Sequence, residues 1–399
     1  MIRTFRYRLY PHARQSKKMH YLLWLARNVY NSALEQRITT YQETGFGITC
    51  FEQSKHFGRL RRIDPDGIGL LNCNCMGLTL RRLDKAYKAF FRRVKSGGAP
   101  GFPRFKSKKR WRSIEFTHGN GCKLKFDDGG RALLYLQNVG EVKIKYHRDI
   151  PDGKIKHVIL KRWFGKWYVL FQVDLPEPEI VGRDENSVGI DMGLHSLLAL
   201  SDGKFVENPR WLRGSLKELR IAQRRVSRRK RGSAGRRRAR YQVAKLHDHI
   251  SNQRRDFWHK TTRDLVNTYS LIAIEDLNLK FMTVNHHLAL SAHDAGLGIF
   301  RQLLVSKAEE AGSLVVTVNP YNTTQMCSGC GEIVKKDLSA RTHSCPYCGL
   351  VLDRDTNAAI NIINLAIKSA RTEPPGDNAD HGIKRSPGSL LLKYGESSP

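Results

Sequence analysis

Acidic side chains are scarce in this chain. It has 37 Asp and Glu against 69 Lys and Arg, a formal net charge of +32 over 399 residues. That imbalance argues against a polycationic partner and points to a polyanion, with nucleic acid as the default. Long apolar runs are also missing. No stretch reaches 18 apolar residues, so no spanning helix is expected. A membrane surface is the weaker partner, because Trp and Phe do not line one face of a basic helix. The opening MIRTFRYRLYP alternates charged and apolar residues and lacks the apolar core of a secretory signal, so a reducing compartment is expected.

Cysteine is sparse, and half of it is uninformative. Cys50, Cys73, Cys75 and Cys122 read as ordinary free thiols, since a lone C-x-C is too little for a site. The other four form two C-x-x-C-G turns, Cys327/Cys330 and Cys345/Cys348, with fourteen residues between them. Each turn puts two thiolates on one side of a tight loop, and two turns make a tetrahedral four-sulfur site for Zn²⁺. Because protein fills all four positions, that metal is structural. A redox role suits one C-x-x-C pair better than two.

Periodicity divides the chain. Residues 3–10 alternate as a strand, and 14–43 and 77–94 carry helical spacing. The Gly/Pro-rich segment 96–110 ends the second helix. Strand signals at 122–126, 132–136, 141–146, 156–162 and 167–174 suggest a small β-barrel that the first strand closes, with the helical block inserted. After a linker at 175–187 the pattern changes to short strands at 188–191, 195–200, 271–276 and 315–319. Helices at about 211–269, 297–311 and 356–369 alternate with them, which is an α/β arrangement. The last thirty residues show no periodicity and read as a disordered tail.

Three carboxylates stand where core elements end. Asp191 closes SVGID, Glu275 closes LIAIE, and Asp355 opens the last helix with Asp353 just before it. Alone, each has an ordinary explanation: a turn, a surface residue, or an N-cap. Together they read as a cluster that needs hard cations, because isolated buried carboxylates are costly. Mg²⁺ or Mn²⁺ suits oxygen ligands and phosphate, and a two-metal arrangement cleaves phosphodiesters. Spacing does not separate Asp353 from Asp355.

Residues 224–240, RRVSRRKRGSAGRRRAR, hold ten basic residues in seventeen. Arg224, Arg225, Arg228, Arg229, Lys230, Arg231, Arg236, Arg237 and Arg238 are therefore candidate phosphate contacts. Trp24, Tyr87, Phe90, Phe91, Phe102 and Phe105 lie among basic residues and are candidate base-stacking groups, although helical spacing favours core packing for Tyr87, Phe90 and Phe91. His286, His287 and His293 fall in a polar loop that could gate the carboxylates. Arg341, beside the second cysteine pair, is a candidate contact to a scissile strand.

The ordered set GIDMGL, IEDLNL, CSGC…CPYC and DRDTNAAINI resembles the nuclease half of TnpB, the transposon-associated RNA-guided DNA endonucleases related to type V CRISPR effectors. RLYP, LDKAYKAFFRRVKSGG and GFPRFK resemble its N-terminal half, so the likeness covers about residues 1–369. The resemblance implies a multidomain α/β fold. Its parts would be a wedge-like β-barrel (1–10 and 111–182), a helical recognition domain (11–110), an RNase H-like RuvC nuclease domain (183–320 and 353–369) and an inserted zinc ribbon (321–352), with the tail at 370–399. It implies Asp191, Glu275 and Asp355 as catalytic Mg²⁺ ligands, with Asp355 favoured over Asp353. It also implies guide RNA and target double-stranded DNA as partners, a prokaryotic cytoplasmic, nucleoid-associated location, and sequence specificity by base pairing. In relatives the start of the second recognition helix helps read the target-adjacent motif. Here that stretch is LNCNCMGL (71–78), with few base-reading side chains, while THGN (117–120) stays polar. A nuclease-inactive RNA-guided repressor and a DDE-like transposase are the alternatives. Intact acids disfavour the first, and the cysteine turns before the third acid disfavour the second.

Overall fold

The computed structural model describes residues 1–177, 186–337 and 340–372. Most of the linker and residues 373–399 of the expected tail lie outside the described residues, while 370–372, expected in the tail, continue the last helix. The chain divides into two compact units, Met1–Glu177 and the part from Pro178 onward. No helix among the described residues is long and apolar enough to cross a membrane.

The first unit runs β1 (Ile2–Tyr10), α1 (Ala13–Thr44), α2 (Cys50–Ile63), α3 (Cys73–Lys95), β2 (Ser113–Thr117), β3 (Cys122–Phe126), β4 (Ala132–Leu136), β5 (Gly140–Lys145), β6 (Lys154–Trp163) and β7 (Lys166–Asp174). The strands form one antiparallel sheet in the order β2-β6-β7-β1-β5-β4-β3. β1 therefore sits mid-sheet between β7 and β5 rather than at a seam, and β2 and β3 are the edges of the observed pairing. Its alternation explains the position: Phe5, Tyr7 and Leu9 are all buried, and a strand flanked on both sides buries such a face best. The helices share that core, with Tyr30 and Leu34 of α1 and Leu80 and Leu83 of α3 packed into the same cluster as Phe171 of β7.

One helix that periodicity did not indicate, α2, and one helical start, that of α3, differ from the periodicity reading, and both trace to capping. α2 has only two buried residues, too few to show a stripe, but Thr49 and Glu52 form a reciprocal capping box at its start. α3 begins at Cys73 because the Asn72 side chain accepts the N–H groups of Asn74 and Cys75 at 2.9 and 3.2 Å.

The second unit runs β8 (Ser187–Met192), β9 (Ser196–Leu200), β10 (Phe205–Glu207), α4 (Trp211–Gly214), α5 (Leu216–Ser227), α6 (Ala234–Thr268), β11 (Leu271–Glu275), α7 (Leu279–Val284), α8 (Ala289–Ala295), α9 (Leu297–Ala311), β12 (Leu314–Val318), β13 (Thr342–Ser344), β14 (Val351–Asp353) and α10 (Arg354–Thr372). Its sheet has the order β10-β9-β8-β11-β12. β8, β11 and β12 are parallel, and β9 and β10 return antiparallel. The expected helical region at 211–269, with GSAG (232–235) expected to break two flanking helices, is three helices, α4, α5 and α6, and the break at GSAG separates α5 from α6. The chain turns between α5 and α6, with Gly232 at φ +83° and Ser233 capping α6. Trp258, Leu265 and Phe300 pack α6 and α9 into a core with β8 and β11.

Candidate nuclease site

Parallel pairing of β8 with β11 aligns Ile190 with Ile274. Asp191 and Glu275 are the next residue on each strand, so both carboxylates leave the sheet at neighbouring strand ends. α10 brings the third. It lies so close to β8 that a Cβ on Gly189 would stand 1.9 Å from the Ala359 carbonyl oxygen. Asp191 is two residues beyond Gly189 on the strand, about 6.6 Å, and Asp355 is four residues before Ala359 on the helix, about 6 Å. The contact at Gly189 thus brings Asp355 level with Asp191. The electrostatics agree. Burial, then the charges of Glu275 and Asp355, push the Asp191 carboxyl up to about 7, with Arg354 opposing. Burial also raises Glu275, which accepts a 2.5 Å hydrogen bond from the Thr323 hydroxyl.

The two aspartates of DRDT have different partners. The Asp353 carboxylate accepts the backbone N–H groups of Asp355 and Thr356 at 2.9 and 3.0 Å, and so caps α10. The Asp355 carboxylate instead takes the Arg354 guanidinium at 3.1 Å on one oxygen and Arg341 at 3.6 Å on the other. Arg354 also donates to the Ala340 carbonyl. These guanidiniums balance the carboxylates with positive charge. The three acids are hard oxygen donors with mutual repulsion, a set that fits a divalent cation. Among the described residues, however, the one group whose ligand atoms all lie within 4.8 Å of each other is the cysteine quartet.

In that quartet the Sγ atoms of Cys327 and Cys348, and of Cys330 and Cys345, are 3.6 Å apart. A tetrahedron with metal–sulfur arms of roughly 2.3 Å has edges of about 3.8 Å, so the four thiols fit zinc. Burial works against the Cys345 thiolate, but the N–H groups of Cys348 and Tyr347 together with hydrogen bonds to Cys327 and Cys330 bring the thiol down to about 7. β13 and β14 pair beside the turns.

The apolar look of NAAINI hides the link between these two sites. Asn357 and Asn361, one turn apart on α10, are buried. Asn357 accepts the Ser328 N–H at 2.9 Å and donates to the Met326 carbonyl at 2.8 Å. Asn361 donates to the same Met326 carbonyl and to that of Thr323. Thr323 in turn holds Glu275. Sequence reading missed Gly189, Thr323, Arg354 and both asparagines. The spacing of Asn357 and Asn361 at i and i+4 was the available signal.

Other candidates sort as follows. Arg224, Arg225, Arg228, Arg229, Lys230, Arg231, Arg237 and Arg238 are exposed and Arg236 is half-buried. Arg236 donates to the Arg229 carbonyl and Arg237 to that of Gly232, closing the α5–α6 turn. None of the nine has a carboxylate partner among the described residues. His293 lies on α8 rather than in a loop, and the His286 and His287 rings meet at a tilt of 43° with centroids 3.7 Å apart. Trp24, Phe91, Phe102 and Phe105 are exposed, whereas Tyr87 and Phe90 pack on Phe102 at 5.6 and 5.4 Å. Asn72 and Asn74 are both engaged with the THGN turn, through Asn120 and the Thr117 N–H.

Family models match three parts of the chain. Residues 170–285 match OrfB_IS605, described as a probable transposase. Residues 298–362 match a Cas12f1-like TNB domain, and residues 1–45 a helix-turn-helix domain. A Streptomyces pristinaespiralis protein provisionally named RNA-guided DNA endonuclease is 31% identical over 90% of this chain and 88% of its own. InsQ of Escherichia coli K12, with the same provisional name, is 27% identical over 91% of this chain and 92% of its own. A solved Cas12f1–sgRNA–target DNA complex contains a chain with the same multidomain α/β fold (TM-score 0.60, 13% identity, covering 91% of this chain and 98% of that one). The likeness to such relatives thus runs along nearly the whole length of both chains, and the chain belongs to the TnpB family.

Proposed function

We propose that the protein is an RNA-guided, divalent-metal-dependent DNA endonuclease. The observation that carries this reading is the approach of Asp191, Glu275 and Asp355 at one end of a partly parallel sheet, whose strand order suits an RNase H-like nuclease domain. A Mg²⁺ or Mn²⁺ pair held there would supply an activated water and stabilise the leaving oxygen of a phosphodiester. The chain's own residues orient the ligands. Gly189 sets the depth of α10, Thr323 aims Glu275, and Asp353 caps the helix so that the Asp355 carboxylate faces the cluster instead of the helix backbone. Arg354 and Arg341 balance the carboxylates and are placed to meet phosphate. The four cysteines hold structural zinc. The partners are a transposon-derived guide RNA and double-stranded target DNA read beside a short adjacent motif, and the basic side chains of the α5–α6 turn, without carboxylate partners among the described residues, suit phosphate contact.

The test uses purified protein with its co-purified RNA, matched DNA and Mg²⁺. Cleavage that disappears in Asp191→Ala supports the proposal. Guided binding without cleavage by the wild type sinks it and favours a repressor, and strand transfer into a second DNA favours a transposase.

A further inference from the structure

Two carboxylates of the cluster each have one oxygen already taken by a fixed donor. Arg354 Nε donates to Oδ1 of Asp355 at 3.1 Å. The guanidinium is anchored a second time, since its Nη1 donates to the Ala340 carbonyl at 3.0 Å, and the side chain is only 16% exposed. The Thr323 hydroxyl donates to Oε1 of Glu275 at 2.5 Å. A hydroxyl has one proton, and the Pro320 carbonyl, at 3.1 Å, is the more distant acceptor. Thr323 is held in turn by Asn361, which donates to its carbonyl at 2.9 Å, and Thr323 and Glu275 are both buried. Thr323 precedes the first cysteine turn and Arg354 follows β14, so the two ends of the cysteine-bearing segment each grip one acid.

The second oxygen of Asp355 is different. Arg341 approaches it at 3.6 Å, too long for a hydrogen bond, from a side chain that is 55% exposed. A cation or a phosphate can displace such a contact. A fixed donor, by contrast, sets the rotation of the carboxylate and draws charge from one oxygen, so each acid meets an ion through the other. That distinction separates the hard divalent ions. Ca²⁺ takes about six to eight oxygens and readily uses both oxygens of one carboxylate. Mg²⁺ takes about six, keeps several of them as water, and needs one or two carboxylates.

We propose that Arg354 and Thr323 are positioning residues that set the ion selectivity of the cluster: by holding Asp355 and Glu275 as single-oxygen ligands, they favour Mg²⁺ over Ca²⁺. The inference rests on the divalent-metal reading above. To take both oxygens of either acid, Ca²⁺ must break a hydrogen bond and strand its donor, which weakens binding by about 5- to 150-fold.

The test titrates the zinc-loaded full chain, without RNA, with Mg²⁺ and with Ca²⁺ in a calorimeter, using Asp191→Ala to subtract ions bound elsewhere. The wild type should hold Mg²⁺ at least as tightly as Ca²⁺. Thr323→Val removes the donor without changing charge, so Ca²⁺ should gain about 5- to 150-fold on Mg²⁺, and Thr323→Ser should restore the wild-type ratio. Arg354→Met also removes a positive charge, so both affinities should rise, that for Ca²⁺ by more. In guided cleavage with Mg²⁺, added Ca²⁺ should inhibit Thr323→Val at lower concentration than the wild type. A merely structural role lowers both affinities together and leaves their ratio unchanged. An unchanged ratio in both Thr323→Val and Arg354→Met overturns the proposal. So does a wild type that prefers Ca²⁺, a result that needs no variant to fold. In either case guided cleavage by the wild type leaves the endonuclease reading standing. If the wild type neither binds a divalent ion through Asp191 nor cuts matched DNA, the proposed function fails and the selectivity with it.

Discussion

Asp353 and Asp355 are two residues apart, yet one faces the backbone of its own helix and the other faces neighbouring side chains. Asn is as good an N-cap as Asp. Asp353→Asn should therefore keep most guided cleavage and most stability, whereas Asp355→Asn should abolish cleavage with little change in melting. Equal losses of cleavage in the two variants would contradict this division. Asp191 has a second consequence. Its carboxyl rises from 3.8 to about 7 in the folded chain, so between those values the native state holds a proton that the unfolded state has released. Its contribution to stability is then present below about 4 and lost as pH rises through about 7. In EDTA the wild type should lose melting temperature relative to Asp191→Asn across that window. Mg²⁺ should restore it most strongly at the alkaline end. Parallel pH profiles for the two proteins would refute the assignment.

At the scale of elements, the decisive contact is α10 on β8. A methyl group at Gly189 meets backbone, not a yielding side chain, so Gly189→Ala must displace the helix or the strand. A cost of about 1–3 kcal/mol is expected from overpacking alone. Cleavage should fall further than stability does, because Asp355 moves away from Asp191. Denaturant melts and cleavage rates measured on the same preparation check this, and unchanged cleavage would place Asp355 outside the cluster. The asparagines of α10 make the zinc turns part of the same element. Asn361→Leu leaves the Thr323 carbonyl without this donor, which costs about 1–3 kcal/mol.

Across the whole molecule, that coupling predicts that zinc loss is felt at the carboxylates. Cys345→Ser, or chelation strong enough to strip the cysteines, should reduce zinc content, melting temperature and guided cleavage together. A variant with full zinc by metal analysis would count against the four-cysteine site. The net charge of +32 sets the other global property. Nucleic-acid binding should weaken steeply with salt, and replacing Arg228, Arg229 and Lys230 should lower the slope by about 2–3.

Composition, strand-end acids and cysteine spacing were legible from the sequence because each is local: charge is a sum, and a C-x-x-C turn holds its two thiols wherever it sits. The sequence alone determined a strongly basic chain with two paired-cysteine turns and three acids at the ends of core elements. It did not determine which acid of DRDT faces the others, or that α10 reads the knuckle through Asn357 and Asn361. Nor did it place β1 in the middle of its sheet. Those depend on register and on the distance between elements far apart in sequence. A glycine at 189 and an alanine at 359 carry no visible relation until the strand and the helix touch, because a close approach is a property of two surfaces and neither surface encodes it alone.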